Sequence, residues 1–190
     1  TAKASRQVAC GCMQPQATWR EAFAVMYRKE LDDIVACGVY DERTADAAMN
    51  LLREHLDAFD HCDTSRLLHG DLWVTNLLVK PDGEVTGLLD FDRACWGDVE
   101  WDLAIAEYCG VTQPAFWEGY SPHAPVPVRP GYADTGPAAV RRMFYLLYEH
   151  QKYIVISMSK RRDDPARARR YAAECLDVMD RFGRTGVPGF

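Results

Sequence analysis

The chain of 190 residues contains no apolar run near the ~18 residues that a membrane-crossing helix requires. No basic-then-apolar leader opens it either, so a cytoplasmic protein is expected, with no membrane partner. Positive charge is scarce: 22 Lys and Arg face 28 Asp and Glu, for a formal net charge of -6. Nucleic acid would be repelled by that balance and is not an expected partner, whereas a cationic ligand suits it. Repeats and low-complexity tracts are missing. With 48% hydrophobic and 26% charged residues, the composition is that of a folded domain rather than a disordered chain. Cysteine is present but unorganised. The seven cysteines are an odd, scattered set. Cys10, Cys12, Cys37, His61 and Cys62 follow no common zinc spacing, and the cysteines read as reduced thiols.

What is present divides into helices and one short β element. Phe23, Met26, Ile34 and Val35 predict an amphipathic helix over residues 17–37, ending before Gly38. Asp41 or Thr44 caps a second helix carrying Ala48, Leu51, Leu52, Leu56 and Phe59 at helical spacing. The pattern then changes. Arg66-Leu67-Leu68, Leu77-Leu78-Val79 and residues 85–89 are short apolar runs, and Pro81-Asp82-Gly83 is a turn signal. A small β-hairpin follows from this, with a polar loop leading into its first strand. Further helices are predicted over 99–110, 138–160 and 165–182, and the proline-dense stretch 121–137 reads as a loop. The expected fold class is α+β, mainly α.

The polar loop, Leu68-His69-Gly70-Asp71-Leu72-Trp73-Val74-Thr75-Asn76, carries chemistry. If the strands pair across Pro81-Asp82-Gly83, Asn76 and Asp90 fall at the same end of the hairpin. Two oxygen ligands there suit Mg²⁺, which takes few protein ligands and completes its shell with water and phosphates. Asp71 then stands close to the metal as a base for a substrate hydroxyl. Asp92 is either a second metal contact or a cap. Arg93 either pairs with an acid or reaches a phosphate, and His69 reads as a structural partner. Trp73, Trp96 and Trp101 read as packing residues.

These two segments, HGDLWVTN and LLDFDRACWGDVEWDLA, resemble the aminoglycoside phosphotransferase and choline kinase-like family, relatives of the protein kinases. The first matches the His-x-Asp-x-x-x-x-Asn pattern of the kinase catalytic loop. The resemblance is sharp over residues 67–106. It implies Asp71 as the catalytic aspartate, Asn76 and Asp90 as metal ligands, and Leu78 as the floor of the adenine pocket. It also implies Asp102 as a buried brace of the catalytic loop, with ATP and Mg²⁺ as cofactors. Trp73 stands where protein kinases commonly keep a lysine, which points to small-molecule acceptors.

By the same resemblance the chain is expected to be the C-terminal lobe of a protein-kinase-like fold. Residues 1–65 form a helical part, 66–98 the catalytic loop and metal hairpin, and 99–190 a helical substrate-binding part. The nucleotide-binding N-terminal lobe, with its phosphate-covering loop and strand lysine, is expected to be absent, since Lys3 and Lys29 lie in no strand-like pattern. Glu100, Glu107, Glu118 and Glu149 are candidate carboxylates for an amine-bearing acceptor. The expected function is an ATP-dependent phosphotransferase acting on a hydroxyl of a cationic small molecule, an aminoglycoside-like antibiotic or an amino sugar. A non-catalytic pseudokinase and a metal-dependent phosphohydrolase are the alternatives.

Overall fold

Thr18 opens the first helix with a reciprocal cap. Its hydroxyl accepts the Glu21 N–H at 3.2 Å, and the Glu21 carboxylate accepts the Thr18 N–H at 3.1 Å. Helix α1 (Trp19–Ala36) follows and buries Trp19, Phe23, Tyr27, Leu31 and Ile34 along one stripe. The computed structural model describes residues 15–62, 65–120 and 136–190. Lys3, Cys10, Cys12 and nearly all of the proline-dense stretch therefore lie outside the described residues. Asp41, not Thr44, caps α2 (Glu42–Glu54), accepting the Thr44 N–H at 2.8 Å. Helix α2 stops short of Leu56 and Phe59, which instead belong to a separate 3-10 turn, Leu56–His61.

The predicted hairpin is present. Strands β2 (Leu77–Val79) and β3 (Val85–Leu88) pair antiparallel, with Leu77 opposite Leu88 and an irregularity between Leu78 and Val79. The Lys80 N–H reaches the Glu84 carbonyl at 2.9 Å and closes the turn. A second antiparallel pair, β1 (Arg66–Leu68) with β4 (Cys95–Gly97), was not expected from the sequence. Three residues per strand are too few for a readable alternation. At Gly97 this pair passes directly under α1: a Cβ there would fall 2.4 Å from the Trp19 ring.

Helices α3 (Val99–Tyr108), α4 (Pro114–Tyr120), α5 (Gly136–Met158) and α6 (Pro165–Thr185) complete the fold. Of these, the short α4 was not anticipated. Helix α5 is the hub, packing against α1, α3, α6 and the 56–61 turn. Around it lies an aromatic core in which Trp101 stacks on Tyr145, and Phe23 meets Phe59 and Tyr145. A buried polar network ties α5 to the head of α3. Arg141 bonds Asp98 at 2.9 Å, Glu100 at 2.5 Å and the Ala58 carbonyl at 2.8 Å. Asp98 also accepts the Tyr145 hydroxyl at 2.7 Å, which in turn accepts the Trp19 indole N–H at 2.8 Å. Every buried charge in this network has a partner, as low-dielectric burial demands. Among the described residues no helix is long and apolar enough to cross a membrane, and Cys37, Cys62, Cys109 and Cys175 form no disulfide.

Candidate active site

The loop between β1 and β2 has almost no regular structure, so its shape has to come from elsewhere. It comes from α3. Asp102 accepts the backbone N–H of His69 at 2.7 Å and that of Gly70 at 2.8 Å, one on each carboxylate oxygen. Burial pushes the Asp102 carboxyl above the usual carboxylate range, against the pull of those two N–H groups. Gly70 has φ +78, and a Cβ on it would lie 2.5 Å from the Arg93 carbonyl oxygen. Only glycine fits both demands. His69 is buried and bridges outward. Its Nδ1 accepts the Asp71 N–H at 3.3 Å, so Nε2 donates to the Leu89 carbonyl at 2.8 Å. The structural-partner reading of His69 agrees with this geometry.

Asp71 emerges from the loop half-buried and is held from two sides. The Asn76 side-chain amide donates to the Asp71 backbone carbonyl at 2.9 Å and to its Oδ2 at 3.3 Å. Arg93 Nη1 lies 3.3 Å from Oδ1. Arg93 is fixed in turn by Glu149, with Nη2 to Oε1 at 3.0 Å and Nη1 to Oε2 at 3.4 Å. Of the two readings open for Arg93, pairing is the one the structure shows. Glu149 also accepts the Trp101 indole N–H at 3.3 Å and a hydrogen bond from Lys152. Burial opposes the Glu149 charge, but Arg93 and Lys152 outweigh it and hold its carboxyl below the usual range. For Arg93, burial is likewise overcome by Glu149 and Asp71, and its protonated form is strengthened.

Asn76 and Asp90 lie at the same, open end of the hairpin. The Leu89 N–H bonds the Asn76 carbonyl at 2.9 Å, so the ladder runs up to the residue before Asp90. Asp90 adopts the left-handed region (φ 65, ψ 62), a conformation that costs a non-glycine residue energy and is concentrated at functional sites. The donor set fits a hard cation. With the Asn76 amide nitrogen bonded to Asp71, its oxygen is the atom left for a metal, and Asp90 is exposed. Among the described residues no group of three or more His, Cys, Asp and Glu is placed to hold a metal ion by itself. Asp92 is exposed on the 3-10 turn Phe91–Arg93. Leu78 is 46% exposed on the hairpin, in line with Val79, Val85 and Leu88.

Several expectations need correction. Glu149 cannot serve an acceptor amine, because it is buried and saturated by Arg93, Lys152 and Trp101. Glu100 is buried against Arg141, and Glu107 pairs with Arg142 at 2.5 Å. Glu118 alone of the four is exposed, on α4. Trp101 packs in the core as expected, but Trp73 is 42% exposed and is not a packing residue. Lys152 was missed. No local pattern ties it to Arg93, 59 positions away; the available signal was an acid, Glu149, on the buried stripe of a long helix.

A helical lobe that presents a braced His-Gly-Asp loop and a small hairpin is the fold of the protein-kinase-like small-molecule kinases. A fructosamine-3-kinase assignment from Haemophilus somnus superposes with a TM-score of 0.62 at 18% identity, over 86% of this chain and 51% of that one. The aminoglycoside phosphotransferase APH(4)-Ia, in a ternary complex with AMP-PNP and hygromycin B, gives 0.58 at 19% identity over 93% and 58%. The sequence profile of the fructosamine kinase family matches residues 6–160. The chain belongs to that family. A probable ketoamine kinase of Vibrio parahaemolyticus is 39% identical over 90 residues, 47% of this chain and 27% of the relative. One from Vibrio cholerae is 48% identical over 62 residues, 32% of this chain and 20% of the relative. The chain thus spans only about a quarter of the length of these relatives.

Proposed function

We propose that this chain is the substrate-side lobe of an ATP-dependent, Mg²⁺-assisted kinase that phosphorylates a hydroxyl of a ketoamine sugar. The observation that carries the proposal is the two-sided hold on Asp71, by Arg93 and Asn76, beside a hairpin end that presents Asn76 and Asp90. Asp71 accepts the proton of the acceptor hydroxyl as that oxygen bonds the γ-phosphorus and the bond to the β-phosphate oxygen breaks, releasing ADP. Asn76 and Asp90 would hold the cation, which neutralises charge on the transferred phosphoryl group. Leu78 offers the apolar contact for adenine on the exposed side of the hairpin. A phosphate-covering loop and a strand lysine would come from a second lobe, because this chain matches about half of its structural relatives.

A ketoamine acceptor is favoured over an antibiotic. The family profile is that of fructosamine kinases and the relatives at 35–48% identity carry ketoamine kinase names, while aminoglycoside phosphotransferases appear among the solved structures at 18–20%, an identity that the fructosamine-3-kinase structures share. The test is ADP release by the full-length protein with Mg-ATP and a panel of fructosylated and ribulosylated amines, aminoglycosides, macrolides and free amino sugars. Turnover is expected with the ketoamines. Turnover confined to aminoglycosides would redirect the assignment to antibiotic phosphorylation. Release of phosphate from simple phosphate esters without nucleotide would replace the kinase reading with a phosphohydrolase, and nucleotide binding without any turnover would indicate a pseudokinase.

A further inference from the structure

Glu149 is a buried carboxylate with no bond to Asp71 itself, yet through Arg93 it stands one residue behind the proposed base. The Arg93 guanidinium lies between two carboxylates and does not treat them alike. It meets Glu149 with both terminal nitrogens, at 3.0 and 3.4 Å, and Asp71 with one nitrogen at 3.3 Å. Glu149 is also the more enclosed partner, its side chain 7% exposed against 29% for Asp71. Lys152 bonds Glu149 Oε2, the oxygen that Arg93 Nη1 meets at 3.4 Å. The four side chains carry two positive and two negative charges, so the cluster is balanced as a whole.

We propose that Glu149 is a positioning residue that draws Arg93 away from Asp71, so that Arg93 orients the base without neutralising it. A guanidinium free to choose would form the two-pronged pair with Asp71. That pair would occupy the lone pairs that an acceptor hydroxyl needs. With Glu149 holding the fork, Arg93 gives Asp71 a single long contact, and Asn76 gives another at 3.3 Å on the opposite oxygen. Lys152 opposes this pull, since a cation on Glu149 weakens its hold on Arg93. The proposal rests on Asp71 being the base. It goes further in assigning Glu149 and Lys152 opposite effects on that base.

The surroundings leave the cluster few competing titrations. Asp102 faces it from α3 and is committed to the His69 and Gly70 N–H groups. Cys109, at the end of α3, and Tyr153, on α5, have protons held more tightly than usual, chiefly by burial. Tyr148 also faces Arg93 from α5. Next to Glu149, His150 is kept towards its neutral form by burial. The exception is Glu30 on α1, which lies within electrostatic reach of Glu149 and Lys152 and whose carboxyl is pushed up to about 7. The measurements are therefore made in a Glu30→Gln background.

The experiment is steady-state kinetics of the full-length enzyme at one pH with fructosyl-lysine and saturating Mg-ATP, comparing Glu149→Gln, Lys152→Met and Arg93→Gln/Glu149→Gln, with thermal melting of each. In Glu149→Gln, Arg93 transfers to Asp71, and we expect a loss of kcat of about 10- to 100-fold with a nucleotide KM within twofold of wild type. In the double variant no guanidinium is left to cover Asp71, and kcat should recover at least about threefold over Glu149→Gln. In Lys152→Met, Glu149 keeps its hold on Arg93, and kcat should stay within about threefold of wild type. A double variant no faster than Glu149→Gln, or losses of kcat that follow melting temperature across the set, would overturn the proposal. Lys152→Met decides the matter if Glu149→Gln does not fold, since a larger fall there would also overturn it. Asp71→Asn separates the two levels. If it keeps activity within threefold of wild type, the base assignment itself fails. If it is inactive while the double variant shows no recovery, only the role of Glu149 fails.

Discussion

Asp102 and Gly70 sit 32 positions apart in sequence and 2.8 Å apart in space, carboxylate oxygen to backbone nitrogen. With the companion bond to His69, one side chain of α3 anchors the start of the 69–76 loop. Asp102→Ala strands two part-buried N–H groups and should cost about 2–4 kcal/mol of stability, with a large fall in kcat. Asp102→Asn keeps one acceptor oxygen and should fall between. Urea unfolding beside steady-state kinetics checks this, and an alanine variant within 0.5 kcal/mol of wild type, roughly the noise of a surface change, would sink the brace.

Gly70→Ala should be worse than its size suggests. The backbone is left-handed there, and the new methyl would press on the Arg93 carbonyl, which belongs to a backbone segment and not to a flexible tip. A cost of about 2 kcal/mol or more is expected, from strain together with displacement of Arg93. Thermal melting gives the stability term, and kcat should fall further than Tm alone explains, because Arg93 is the neighbour that must move.

Asp90→Ala should abolish Mg²⁺-dependent nucleotide binding, while Asp92→Ala should weaken it less. Asp90 directly follows Leu89, whose N–H bonds the Asn76 carbonyl, whereas Asp92 lies two residues further on, within the 3-10 turn. Titration calorimetry with Mg-ATP on the full-length variants measures both. If Asp92→Ala proves the more damaging, the ligand assignment is reversed.

Glu30 makes stability depend on pH near neutrality. Burial, then Asp33 and Glu149, push its carboxyl from an ordinary 4.5 up to about 7. The native state therefore binds this proton more tightly than the unfolded chain does. The resulting stabilisation is fully present below about pH 4.5 and is lost as pH rises through 7. Glu30→Gln should thus match wild type near pH 4.5 and be more stable at pH 8, by roughly 1–3 kcal/mol, or several degrees in Tm. Equal Tm differences at both pH values would show that Glu30 stays charged and solvated.

The sequence disclosed what is local. Helix α1 could be read from Phe23, Met26 and Ile34 because burial on one face of a helix repeats every turn. The β2–β3 hairpin could be read from Pro81-Asp82-Gly83 between apolar runs. That Asp71, Asn76 and Asp90 belong to one loop and hairpin could be read because those segments are contiguous, so their spacing survives in one dimension. The β1–β4 pair was not legible, since its register joins Leu67 to Trp96 and neither strand has length enough to alternate. The partners of Glu149 were hidden for a similar reason. A glutamate on an amphipathic helix looks the same in sequence whether it faces water or two part-buried cations, and only the packing of α5 against α3 and the Phe91–Arg93 turn decides.

The dependence of the loop on α3 also fixes an order of melting. The loop owns no ladder of its own: β1 and β4 contribute three residues each, and the bonds to Asp102 are made only while α3 is docked. Helices α5 and α6, by contrast, pack along much of their length. A slight loosening of α3 on α5 releases the loop while nearly all helical hydrogen bonds persist. Catalytic competence should therefore disappear at denaturant concentrations that leave the far-ultraviolet circular dichroism almost unchanged. On refolding it should return after the helical signal, because the loop waits for contacts distant in the chain.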